Sequence, residues 1–111
     1  MTESEFLAMA EATLDRIEAA LERASGETDL DVECSRSGNV LQIEFVDNGS
    51  KIIVNSQAPM QELWVAAKSG GFHYKRNGER WINTRDQSEL SAALSKIVSE
   101  QSGMELVLGP L

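Results

Sequence analysis

The hydrophobic period of this chain changes twice, from 3.6 residues to 2 and back, and that restricts it to helices layered on a sheet. Thr2-Glu3-Ser4-Glu5 fits a capping box, and behind it Phe6, Ala10, Leu14, Ile17 and Leu21 recur at the spacing of one helical face. A first helix is predicted from about Glu3 to Ala24, ended by Ser25-Gly26. Leu30, Val32 and Cys34 then alternate with Asp29, Asp31, Glu33 and Ser35, a half-buried strand with core on one face and acid on the other. After Ser37-Gly38-Asn39, Leu41, Ile43 and Phe45 alternate with Gln42 and Glu44, and Asp47-Asn48-Gly49 reads as a hairpin turn into Lys51 to Asn55. Pro59, Gly70-Gly71 and Asn77-Gly78 introduce further strands at about Glu62 to Ala67, Phe72 to Arg76 and Arg80 to Asn83. Asp86 with Glu89 is a second capping signature, followed by Leu90, Ala93, Leu94, Ile97 and Val98 on one helical face and by Gly103 as the stop. The apolar tail Met104 to Leu108 is expected to dock on the body. These elements make an α+β two-layer sandwich, an antiparallel sheet of about six strands with the N- and C-terminal helices packed on one face. The other face is left to water or a partner.

With 111 residues, 41% of them hydrophobic and 25% charged, the composition is that of one globular domain spanning residues 1–111. The start, Met1-Thr2-Glu3-Ser4-Glu5-Phe6, has neither a basic nor an apolar signal region, and no stretch approaches 18 apolar residues. A cytoplasmic protein without a membrane span is the expectation. Cys34 and His73 are the only residues of their kinds, which excludes an intramolecular disulfide and a cysteine–histidine cluster for a soft metal. A net charge of −8 with no basic stripe argues against a nucleic-acid surface and for a cationic partner.

The charge is unevenly placed. Twelve of the eighteen acids lie in residues 1–50, against three bases. Within that half Glu18, Glu22, Glu27, Asp29, Asp31 and Glu33 are interrupted by one base, Arg23. At about 100° per residue Glu11, Asp15, Glu18 and Glu22 form a stripe beside the buried seam of the first helix. Carboxylates are hard ligands, suited to hydrated cations such as iron, manganese or calcium, so binding there is expected to be weak, exchangeable and poorly selective. Neighbouring carboxylates about 5–6 Å apart repel by roughly 1–3 kcal/mol before salt screening, so an empty ridge should cost fold stability.

Other residues read more simply. Trp64, between Leu63 and Val65, points to the open side of the sheet if those two face the helices, and is a candidate interaction anchor. Trp81 is assigned to the core. His73 lies opposite the face shared by Phe72 and Tyr74, with no acid expected at ligand spacing beside it. Cys34 shares the inward face with Leu30 and Val32 and reads as a packed thiol. Lys68-Ser69-Gly70-Gly71 lacks the spacing of a phosphate loop and reads as a turn between strands.

From Leu41 to Tyr74 the chain runs LQIEFVDNGSKIIVNSQAPMQELWVAAKSGGFHY, with Asn48-Gly49-Ser50-Lys51-Ile52-Ile53-Val54-Asn55, Gln57, Pro59, Leu63-Trp64 and Gly70-Gly71-Phe72-His73-Tyr74 as its marks. With Trp81, the acidic first helix and strand, and the closing helix, it resembles the frataxin family in its bacterial CyaY-type branch. That resemblance implies the same helix–sheet–helix sandwich. It also implies a protein that binds iron, ferrous or ferric, weakly and reversibly, and modulates iron–sulfur cluster assembly by binding a cysteine desulfurase and its scaffold protein, without catalysing a reaction itself. Glu18, Glu22, Glu27, Asp29, Asp31 and Glu33 match the family's acidic ridge, which binds iron and docks on a basic patch of the desulfurase. Asn55, Gln57 and Trp64 match its scaffold-binding surface. Ala19, Arg23 and Ser25 stand where bacterial relatives often carry further acids, and Leu7 where some place a histidine, which leaves fewer ligands for tight or multi-ion loading. A monomer is implied, with oligomers under metal. A purely protein-binding acidic regulator with incidental metal affinity is the alternative. An enzyme is disfavoured because the acids are expected on a convex edge and no Glu-x-x-His di-iron motif occurs.

Overall fold

Thr2 caps the first helix as its sequence predicts: its hydroxyl accepts from Glu5 N–H at 3.1 Å while the Glu5 carboxylate accepts from Thr2 N–H at 3.2 Å. These contacts hold the exposed Glu5 carboxyl below the usual carboxylate range. In the computed structural model, which describes residues 1–111, this helix (α1, Glu3–Glu27) is longer than expected. It runs through Ser25-Gly26 and closes at Thr28, whose N–H and hydroxyl both donate to Ala24 O, at 2.9 and 2.7 Å. A side chain two residues beyond the glycine therefore supplies the terminus, and Gly26 keeps helical geometry.

Six strands follow in a meander: β1 (Val32–Ser37), β2 (Val40–Phe45), β3 (Lys51–Gln57), β4 (Glu62–Ala67), β5 (Gly70–Asn77) and β6 (Arg80–Asn83). Every neighbouring pair is antiparallel and the sheet order is the chain order. Short connections make this the least costly arrangement, since each strand pairs with the one just made. Gly49, Gly70 and Gly78 take positive φ where hairpins turn. Lys68 and Ser69 form the turn between β4 and β5, as expected, and not a phosphate loop.

The second helix (α2, Leu90–Ser102) ends at Gly103 in the left-handed region, φ 74°, as its glycine predicts. Its start differs from expectation. Glu89 is the residue before the first turn and makes no side-chain cap, while Asp86 accepts from Ser88 N–H and Ser88 Oγ at 2.9 and 2.6 Å. Ser88 thus satisfies the aspartate locally and no capping box forms. Beyond α2 the tail docks: Leu106 and Leu108 are buried, and Leu108 N–H donates to Ser95 Oγ at 2.9 Å.

Phe6, Leu14, Ile17 and Leu21 of α1 and Leu90, Leu94 and Val98 of α2 close one core with Leu41, Ile43, Ile52, Val54, Leu63, Val65, Tyr74 and Trp81 of the sheet. Both helices lie on one face of the sheet, and the other face is open. No helix is long and apolar enough to cross a membrane.

Candidate functional site

Glu18 and Glu22 stand one turn apart on α1, and α1 runs beside the edge strand β1. With Ser25, Val32 and Cys34 these two acids line a cavity of about 250 Å³. The structure brings Glu18 and Glu22 together but disperses the other four. Glu27 closes α1, and Asp29 and Asp31 lie in the connection to β1. Glu33 faces away from the helices, opposite Glu44 in the register of β1 with β2. No three metal-capable side chains converge anywhere in the chain. Any cation on this ridge would keep most of its water and take one or two carboxylates at a time.

The ridge also holds a counter-ion that the sequence reading missed. Arg36 Nη1 donates to Asp15 Oδ1 at 2.8 Å and to Glu18 Oε1 at 3.1 Å, tying β1 to the middle of α1. Its signal was present in the strand period, since Arg36 shares parity with Val32 and Cys34 and so faces the helix. Arg23, the base within the acidic run, turns elsewhere and donates to Leu108 O at 3.0 Å. The expected repulsion along the ridge is therefore relieved at Asp15 and Glu18, and Glu22 is left without a base in ion-pair distance.

Cys34 is half-buried, and burial, reinforced by the charges of Glu18 and Glu22, pushes its thiol up to about 11. A thiol this hard to ionise is a poor nucleophile near neutral pH. Iodoacetamide should label Cys34 at pH 8 on the order of a hundredfold more slowly than a free cysteine, with the rate rising in Glu22→Gln. Labelling at the free rate would mean that the thiol is not shielded as described.

On the open face, β3 and β4 set Asn55 opposite Trp64 and Gln57 opposite Glu62, so Asn55, Gln57 and Trp64 form one contiguous patch. Gln57 Nε2 donates to Asn55 Oδ1 at 3.3 Å. Trp64 is half-buried and stacks on His73, its register partner on β5, with centroids 4.4 Å apart and planes 7° apart. The absence of an acid beside His73, expected from the sequence, is corrected here. Glu62 Oε1 lies 3.5 Å from His73 Nδ1, because β4 carries Glu62 to the diagonal position across the strand pair. Trp81 is buried in the core as expected, its Nε1–H donating to Thr13 Oγ1 at 2.8 Å.

The family model for the frataxin-like domain matches residues 1–104. The iron–sulfur cluster assembly protein CyaY of Herminiimonas arsenicoxydans is 74% identical over 108 residues, covering 97% of this chain and 96% of that protein. That of Cupriavidus necator is 63% identical over 109 residues, covering 98% and 97%. Among solved structures, frataxin from Psychromonas ingrahamii matches with a TM-score of 0.85 and 32% identity, over 97% of this chain and 98% of that one. Trimeric frataxin from the yeast Saccharomyces cerevisiae, in a ferrous complex, matches with a TM-score of 0.73 over 86% of each chain. At 24% identity the yeast likeness concerns the fold alone.

Proposed function

The chain belongs to the frataxin family and has its fold, and from that premise we propose that it binds iron weakly and regulates or supplies it to iron–sulfur cluster assembly in the cytoplasm. In this reading it acts as one domain and without catalysis of its own. The ridge of Glu18, Glu22, Glu27, Asp29, Asp31 and Glu33 meets iron and a basic surface of a cysteine desulfurase. The patch of Asn55, Gln57 and Trp64 meets the scaffold protein. The observation that carries it is the pairing of Glu18 with Glu22 over a solvent-facing cavity at the sheet edge, in a chain whose 74%-identical relative bears a cluster-assembly name.

A second reading has its own support. No three ligating side chains converge, and Arg36 already occupies Asp15 and Glu18, which favours an acidic protein-binding regulator whose metal affinity is incidental. The two readings separate in an anaerobic titration with ferrous iron, followed at the backbone amides with and without the desulfurase. Under the first, amides of Glu18 to Glu33 broaden first, Cys34 follows because it lines the same cavity, and His73 across the sheet stays sharp. Iron at loading concentration then changes desulfurase binding or output. Arg36→Gln should raise the affinity of the ridge for ferrous iron about three- to tenfold at low salt, because a competing cation is gone. Iron that leaves desulfurase binding and output unchanged selects the second reading. Broadening centred on His73 rather than on the ridge sinks the iron assignment.

A further inference from the structure

Glu62 lies on the open side of the sheet, where a carboxylate would ordinarily stand in water, yet it is only 5% exposed. A carboxyl group withdrawn from solvent needs partners, and three are at hand. Trp64 Nε1–H donates to Oε1 at 2.9 Å, His73 Nδ1 lies 3.5 Å from the same oxygen, and Lys75 Nζ lies 3.6 Å from Oε2. The indole is thereby held twice, by its edge through Glu62 and by one face through the His73 ring stacked at 4.4 Å.

We propose that Glu62 is a positioning residue for Trp64: it fixes the indole in one orientation before the partner arrives, with His73 as the backing plate. The inference rests on the reading of Trp64 as a partner anchor. An exposed tryptophan on a flat sheet face can turn about two side-chain bonds, and ordering it on binding would cost affinity. A hydrogen bond at Nε1 and a ring on one face remove that freedom in the free protein. The part of the indole that remains exposed is left to dock.

The first arm of the test needs no partner and no substitution at Glu62. In the full chain labelled with ¹⁵N, the Nε1 proton of Trp64, identified by its loss in Trp64→Phe, should exchange with water at least about tenfold more slowly than a free indole. Exchange at the free rate would show that the edge contact is absent and would overturn the proposal. In the second arm, binding to the purified desulfurase–scaffold complex is compared among variants whose circular dichroism matches wild type. Trp64→Ala should weaken binding about five- to a hundredfold, and Glu62→Ala about two- to tenfold with faster indole exchange. Glu62→Gln keeps an acceptor oxygen for the indole and should stay within about twofold of wild type. If Trp64→Ala weakens binding and Glu62→Ala does not, positioning is wrong while the reading of the sheet face stands. If Trp64→Ala binds as wild type, that reading fails and takes this proposal with it.

Discussion

Reversing the charge at Glu18 and Glu22 together, each to lysine, will slow association with a basic desulfurase surface by about ten- to a hundredfold at low salt and flatten the salt dependence of the rate. The cause is long-range steering: two charges change sign, a shift of four units, on one edge of a chain whose net charge is −8, where its acids are densest. The two positions are not equivalent. Glu22 has no base in ion-pair distance, so Glu22→Lys alone removes attraction without breaking a contact. Glu18→Lys sets a second cation beside Arg36 and leaves that guanidinium to Asp15. Neither residue belongs to the buried core, and circular dichroism should show the fold intact. Stopped-flow association at a series of salt concentrations is the measurement. A charge-reversed protein that associates as fast as wild type at low salt would remove the ridge as the docking surface.

The largest effect on stability is expected at Trp81. Its ring is 1% exposed, meets Phe6 edge-on with centroids 6.0 Å apart, carries Arg76 Cζ 5.4 Å from its centroid, and donates through Nε1 to Thr13. Trp81→Ala opens a cavity between α1 and the sheet, leaves Thr13 Oγ1 with Arg16 as its remaining donor and strips the ring from beneath Arg76. A loss of about 3–5 kcal/mol is expected, a large part of the roughly 5–15 kcal/mol that holds a domain of this size folded. Tm should fall by more than about 10 °C in thermal denaturation. Thr13→Val keeps the packing but strands a buried indole N–H, and should cost about 1–3 kcal/mol. A Trp81→Ala protein melting within about 3 °C of wild type would show that the indole does not bridge the two layers.

Much of the fold is set by local sequence. The capping box at Thr2, the strands over Glu62 to Ala67 and Arg80 to Asn83, the stop at Gly103 and the inward faces of both helices are local, since each depends on residues within a turn or a strand. The first strand starts at Val32 and not at Asp29, and the third and fifth run one or two residues beyond their expected ends. Two of the misplaced boundaries, those of the helices, are local as well, and both were decided by a competing side chain. Thr28 closed α1 beyond Gly26, and Ser88 took the Asp86 carboxylate before it could cap α2.

At the candidate site the same division holds. That Glu18 and Glu22 share a helical face, and that Trp64 points away from the helices, follows from period alone, because backbone geometry sends side chains out at fixed angles whatever surrounds them. That Arg36 reaches Asp15 and Glu18 across 21 and 18 residues, and that Glu62 meets Trp64 and His73 at once, depends on which strand lies beside which and in what register. Tertiary structure alone decided those partners. Pairwise distance enters charge and hydrogen-bond energies directly, and no periodicity within one segment carries the distance to another.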